Sequence, residues 1–178
     1  MKKKIKSLIL VISFLTLVST IAAVNSKNKP VGIMDLQFNL AWPGPQAEIP
    51  DWIGTITIDG VEYGMAFFAI GSGKPFETNP PSTSVHFFEE IYFIYYELHF
   101  TFNEDGTLGD FEPGDIALWG YDVGLTNLVN SKYHMSGNVE EAFGIFSQWV
   151  GHNVFMHGVI EWYPFDAPQF APGTFQIN

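Results

Sequence analysis

From Ile33 onward, apolar residues recur at every second position in runs cut by glycine, proline and acidic turns, and the three-to-four spacing of an amphipathic helix is missing. A chain patterned this way can bury itself only by pairing extended segments. The alternation predicts about eight strands: Ile33–Leu40, Trp52–Asp59, Glu62–Ile70, Val85–Phe102, Asp115–Tyr121, Asn138–Phe146, Asn153–Tyr163 and Gly173–Ile177. The pairs are expected to be antiparallel, because Asp59-Gly60, Asn103-Glu104-Asp105-Gly106 and Gly151-His152-Asn153 have the residues that tight reversals require. Tyr121–Gly137 lacks the alternation and is expected to hold a short helix, and Gly71–Ser84, with three prolines, a long loop.

The fourth segment decides between architectures. Its even positions (Phe88, Glu90, Tyr92, Ile94, Tyr96, Leu98, Phe100) and its odd positions (Phe87, Ile91, Phe93, Tyr95) are both rich in large apolar groups, so both faces need cover. A single antiparallel barrel supplies it, with the lumen taking one face and a loop, helix or second subunit the other. A β-sandwich is the alternative. Length and a 16% aromatic content fit one domain with a substantial core.

The first six residues hold four of the eight lysines and precede the apolar run Ser7–Val24, the pattern of a secretory signal peptide over residues 1–23. An uncleaved amino-terminal anchor is the alternative, and the only expected contact with a membrane. Residues 24–32 then read as a tether and 33–178 as the domain, secreted or otherwise extracytoplasmic. From Val24 on, four lysines face all nineteen acidic residues, a body charge of −15. That sign excludes phosphate-backbone partners, so no nucleic acid is expected. The chain has no cysteine, which removes disulfides, thiolate metal sites and thiol nucleophiles. It has no arginine, which disfavours anionic ligands.

The carboxy-terminal part, Gly114-Asp-Ile-Ala-Leu-Trp-Gly-Tyr-Asp-Val-Gly124, Gly137-Asn-Val-Glu-Glu-Ala-Phe-Gly-Ile-Phe146, Gly151–Ile160 and the ending Gly173-Thr-Phe-Gln-Ile177, resembles the glycine-punctuated hairpins of the allene oxide cyclase and dirigent barrel superfamily. The resemblance covers about the last 65 residues. It implies a closed antiparallel barrel with an apolar lumen, often in a homo-oligomer, and carries over no catalytic signature. Calycin-type ligand carriers share this pattern. Pro113-Gly114-Asp115 also suggests a cupin, but the paired histidines of a cupin metal site do not follow it.

Glu89 and Glu90 are adjacent and so face opposite ways. Glu90, in the more apolar set, is expected to point inward, where burial disfavours its charge and raises its pKa toward acid–base use. Glu90, Tyr92 and Tyr96 are therefore the candidate proton-handling and positioning groups, and Phe88, Ile94, Leu98, Trp119 and Trp162 the candidate ligand-binding surface. Glu97 and His99 lie two apart on one strand face, roughly 7 Å between backbones. With His157 and Glu161 they are the best candidates for a divalent metal, against the plainer reading that all four face solvent. The carboxylates of Glu104, Asp105, Asp110, Glu112 and Asp115 could attract calcium but depart from the EF-hand spacing, so no cofactor is expected by default. No serine-nucleophile elbow or phosphate-cradling loop occurs. The reading that results is a secreted barrel binding a neutral apolar small molecule in its lumen without catalysis. The alternatives are an isomerase or cyclase acting on such a molecule, and an adhesion or self-assembly module.

Overall fold

The computed structural model describes residues 29–71, 85–161 and 168–178. Val31–Asn178 is one compact unit. The expected signal segment, most of the tether, the loop 72–84 and Trp162 lie outside the described residues.

The described residues form ten strands: β1 (Val31–Phe38), β2 (Trp52–Ile58), β3 (Val61–Gly71), β4 (Val85–Tyr95), β5 (Leu98–Phe102), β6 (Leu108–Pro113), β7 (Ile116–Asn127), β8 (Lys132–Ala142), β9 (Asn153–Val159) and β10 (Gly173–Ile177). Eight of them close into an antiparallel barrel in the order β1-β10-β9-β8-β7-β4-β3-β2, and β5 with β6 forms a separate hairpin. The expected barrel is thus the observed one. Eight strands enclose a lumen just wide enough for side chains or one small ligand.

Local chemistry accounts for the register. Asp59 and Gly60 both take positive φ (51° and 79°), making the two-residue reversal that pairs Ile58 with Val61. Inward positions alternate along each strand. Met34 and Leu36 on β1, Ile56 and Ile58 on β2, Met65 and Phe67 on β3, and Tyr92 and Ile94 on β4 meet in one buried cluster with Met135, Val139, Met156 and Phe175.

Five expectations about elements need correction. The segment Val85–Phe102 is two strands, because a bulge at Ile94/Tyr95 and a bend at Tyr96–Glu97 turn the chain out of the barrel wall. The second piece, β5, pairs with β6, which replaces an expected loop, and the hairpin packs over the outer wall. Its Leu98 sits on Gly64 of β3, where a Cβ would approach Leu98 to 2.0 Å. The hairpin supplies the outer cover that both-faced β4 demanded: Phe93 and Tyr95 pack in a cluster with Phe100, Phe102 and Phe111.

The stretch 121–137 holds no helix. It continues β7 to Asn127 and begins β8 at Lys132. The strand expected over Asn138–Phe146 stops at Ala142 and yields to a short 3₁₀ helix, Gly144–Trp149, so the β8–β9 reversal is longer than expected. The strand expected over Asn153–Tyr163 ends at Val159.

Candidate functional site

The two ends of the lumen are built differently. At the end reached by the carboxy-terminal part of β4, the rings of Tyr63 and Phe146 pack edge to face with centroids 5.3 Å apart, and Tyr96 lies tilted against both. The Tyr96 hydroxyl donates to Phe143 O at 3.0 Å. Its residue is 36% exposed, at the rim.

At the other end the side chains leave a cavity of about 180 Å³. It is lined by Met34, Leu36 and Phe38 of β1, by Trp42, Asp51 and Trp52 at and before the start of β2, by Phe67 of β3 and by Phe88 and Glu90 of β4. Thr126, Tyr133, Met135, Met156, Ile160 and Ala171 complete it. Phe38 packs against both tryptophans, edge-on to Trp42 (6.0 Å, 72°) and tilted on Trp52 (5.1 Å, 59°), so the rings form walls at steep angles to one another.

Three carboxyl groups stand in this apolar setting, each almost wholly buried: Asp51 (2% exposed), Glu90 (4%) and Asp122 (1%). Glu90 points inward because it shares the even face of β4 with Phe88, Tyr92 and Ile94. Asp122 stands opposite it in the β4–β7 register. Asp51 arrives from the β1–β2 connection, and backbone pairing fixes it there. Asp51 N–H donates to Phe67 O at 3.0 Å, and Asp51 O accepts from Asn39 N–H at 2.8 Å. Asn39, itself buried, donates from its side-chain amide to Pro50 O and accepts from the N–H groups of Ala41 and Leu108, tying the connection to β6.

Their electrostatics follow from burial. Desolvation, then the neighbouring Asp51 and Asp122, push the Glu90 pKa well above its ordinary value. Desolvation and the Asp51 charge do the same to Asp122. Desolvation raises Asp51 to about 6, opposed by a hydrogen bond from Glu90 and by backbone N–H groups at Trp52 and Ala69. The arrangement therefore has Glu90 donating to Asp51, with burial favouring the neutral form of all three carboxyls. Among the described residues, Asp51 Oδ1, both Asp122 carboxyl oxygens and Trp42 Nε1 are buried with no hydrogen-bond partner. Unmade bonds of this kind cost about 1–3 kcal/mol each.

Of the expected proton-handling groups, Glu90 and Tyr92 are inside the barrel and Tyr96 is at the far rim. Tyr92 is buried, and its hydroxyl donates to Asn138 O at 2.9 Å, room for which depends on Gly120: a Cβ there would lie 2.6 Å from the tyrosine oxygen. Desolvation pushes its pKa up. Of the expected ligand-binding residues, Phe88 lines the cavity and Ile94 fills the packed half of the lumen. Neither Leu98 nor Trp119 is in the lumen: Leu98 belongs to the hairpin and packs onto Gly64 of the outer wall, and Trp119 is stacked on Phe93 with Nε1 donating to Glu141 at 3.2 Å.

The four metal candidates are not brought together. Glu97 and His99 are exposed where the hairpin leaves the barrel, whereas His157 faces outward from β9, 3.0 Å from Thr174 Oγ1 and stacked on His134. Glu161 follows β9 and bridges Phe170. In the acidic loop, Asp105 accepts from the N–H and hydroxyl of Thr107, which hold its carboxyl below the usual range. Among the described residues no three histidine, aspartate or glutamate side chains form a group able to hold a metal ion.

Sequence reasoning missed Asp51 and Asp122 as site residues. No family model, curated protein or solved structure matches the chain.

Proposed function

We propose that the protein is a small-molecule-binding barrel, exported from the cytoplasm, that holds a compact ligand with an apolar body at the Asp51–Glu90 end of its lumen. The cavity carries this reading. An engineered apolar cavity of about 150 Å³ takes up benzene, so 180 Å³ walled by methionines and aromatic rings accommodates a molecule of one or two rings. The fold pays elsewhere for keeping it hollow, since filled barrels of this width are more stable than empty ones.

Protein purified from its native source is expected to release a lipophilic compound on organic extraction, detected by mass spectrometry. One-ring probes such as 2-phenylethanol are expected to raise the melting temperature of stripped protein and to alter tryptophan fluorescence through Trp42 and Trp52. Ala171→Phe, which fills the cavity, should abolish both responses while the circular dichroism of the barrel persists. Failure of every one-ring probe to bind stripped protein overturns the reading.

A second reading, an isomerase, is favoured by one observation: Glu90 and Asp51 place a proton donor and a proton acceptor side by side at the cavity wall. In that case the extracted compound, returned to the protein, would be converted to an isomer, and Glu90→Gln would retain binding but lose conversion.

A further inference from the structure

We propose that the ligand's polar end is a protonated amine, seated against Asp51 and enclosed by the rings of Phe38, Trp42 and Trp52. This deepens the lumen-binding reading and rests on it. It replaces a wholly neutral ligand with an organic cation.

Four observations converge. Asp51 is 2% exposed, lines the cavity, and leaves Oδ1 without a hydrogen-bond partner among the described residues. A buried carboxylate oxygen in that state needs a donor, and an ammonium N–H supplies one with opposite charge. Phe38, Trp42 and Trp52 line the same cavity as Asp51, with Phe38 inclined at 72° to Trp42 and at 59° to Trp52, so the carboxylate shares its pocket with aromatic walls, whose ring quadrupoles stabilise a cation lying over a face.

The third observation is that, among the described residues, the protein supplies no competing cation. No lysine or histidine among them lines the cavity, and the chain has no arginine. Among the described residues, the titratable groups that act on Asp51 and Glu90 are Asp122 from β7 and Tyr133 from β8, with Tyr92 beside Asp122, none of them basic. Finally, the body charge of −15 raises the local concentration of cations and repels anions before contact. The unpartnered Trp42 Nε1 adds a donor on the same wall, suited to a hydroxyl or carbonyl elsewhere on the ligand.

The test uses the whole protein and three probes of one size that differ in charge: 2-phenylethylamine, 2-phenylethanol and phenylacetate. By calorimetry at pH 7.5 the amine is expected to bind at least about tenfold more tightly than the alcohol, with phenylacetate not bound. Because Asp51 titrates near 6, the amine's advantage should shrink as pH falls from 7.5 to 5 while the alcohol's affinity stays level; the amine remains protonated throughout. Asp51→Asn should erase the preference, and a circular dichroism spectrum matching that of the unaltered protein shows that the barrel survives the change.

Alcohol binding that equals or exceeds amine binding would overturn the cation while leaving the lumen reading intact. Absence of binding by both removes the two together. An amine preference that persists at pH 5 and in Asp51→Asn would also overturn the assignment to this carboxylate.

Discussion

The two ends of one barrel solve the same packing problem in opposite ways. Where Tyr63, Tyr96 and Phe146 meet, the lumen is stopped by rings in edge contact and the 3₁₀ helix Gly144–Trp149 lies alongside. At the other end Phe38, Trp42, Trp52 and Phe88 wall a cavity of about 180 Å³, and two of the three buried carboxyl groups, Asp51 and Glu90, share its lining. Hydrophobicity does not distinguish the ends. The difference lies in where polar groups were placed, and it teaches that the packed end provides stability and the hollow end keeps the groups that stability alone would remove.

The contrast can be broken most forcefully at Phe146. Truncation to alanine leaves an unfilled hole in a closed stack and is expected to cost about 3–5 kcal/mol in urea unfolding, with probe binding unchanged. At the hollow end, Glu90→Gln is expected to do the reverse. Its amide can still donate to Asp51, but nothing need be held protonated.

The sign follows from the raised pKa values. In the folded state these carboxyls keep protons that the unfolded chain releases above about pH 4, so the folded protein binds more protons and loses stability as pH rises. For Asp51, the rise from 3.8 to about 6 is worth about 3 kcal/mol, all of it present below pH 4 and gone above pH 6. Glu90→Gln should therefore match wild type near pH 4 and exceed it at pH 8, with the margin widening as pH rises, measured by denaturation across that range.

Smaller effects sharpen the boundary between the ends. Tyr92→Phe removes the donor to Asn138 O in mid-lumen and should cost about 1–2 kcal/mol with little change in probe affinity. Phe88→Ala, at a half-exposed wall already facing a cavity, should cost only about 1 kcal/mol yet weaken 2-phenylethanol several-fold. Equal destabilisation by Phe88→Ala and Phe146→Ala would mean that the ends are packed alike, and the contrast would fall.

The barrel was legible because its strands alternate, and Glu90 because its even-numbered neighbours are apolar. The break at Tyr96–Glu97 was hidden by alternation that runs on through Phe102 even though the backbone changes sheets. Strand β7 was missed beyond Tyr121 for a subtler reason: its pattern is inverted. Gly120, Asp122, Gly124 and Thr126 face the crowded lumen, while Tyr121, Val123 and Leu125 face outward, so the usual rule of apolar side inward finds no strand there. The same inversion concealed Asp122. Asp51 was invisible because it lies in a connection after Pro50, and its burial depends on Asn39 and Phe67, distant in the chain. Strand β6, rich in acid and glycine, looked like solvent-facing loop because the face it covers belongs to other strands.

The hairpin leaves one further consequence. Closure gives each wall strand two neighbours, so among the described strands only β5 and β6 retain an unpaired side onto which a foreign strand could graft itself. On β6 that margin carries Asp110, Glu112 and Pro113, charges and a missing N–H that discourage stacking into fibrils. Among the described strands the hazard is thus confined to this one hairpin, and the charged defence to its β6 side.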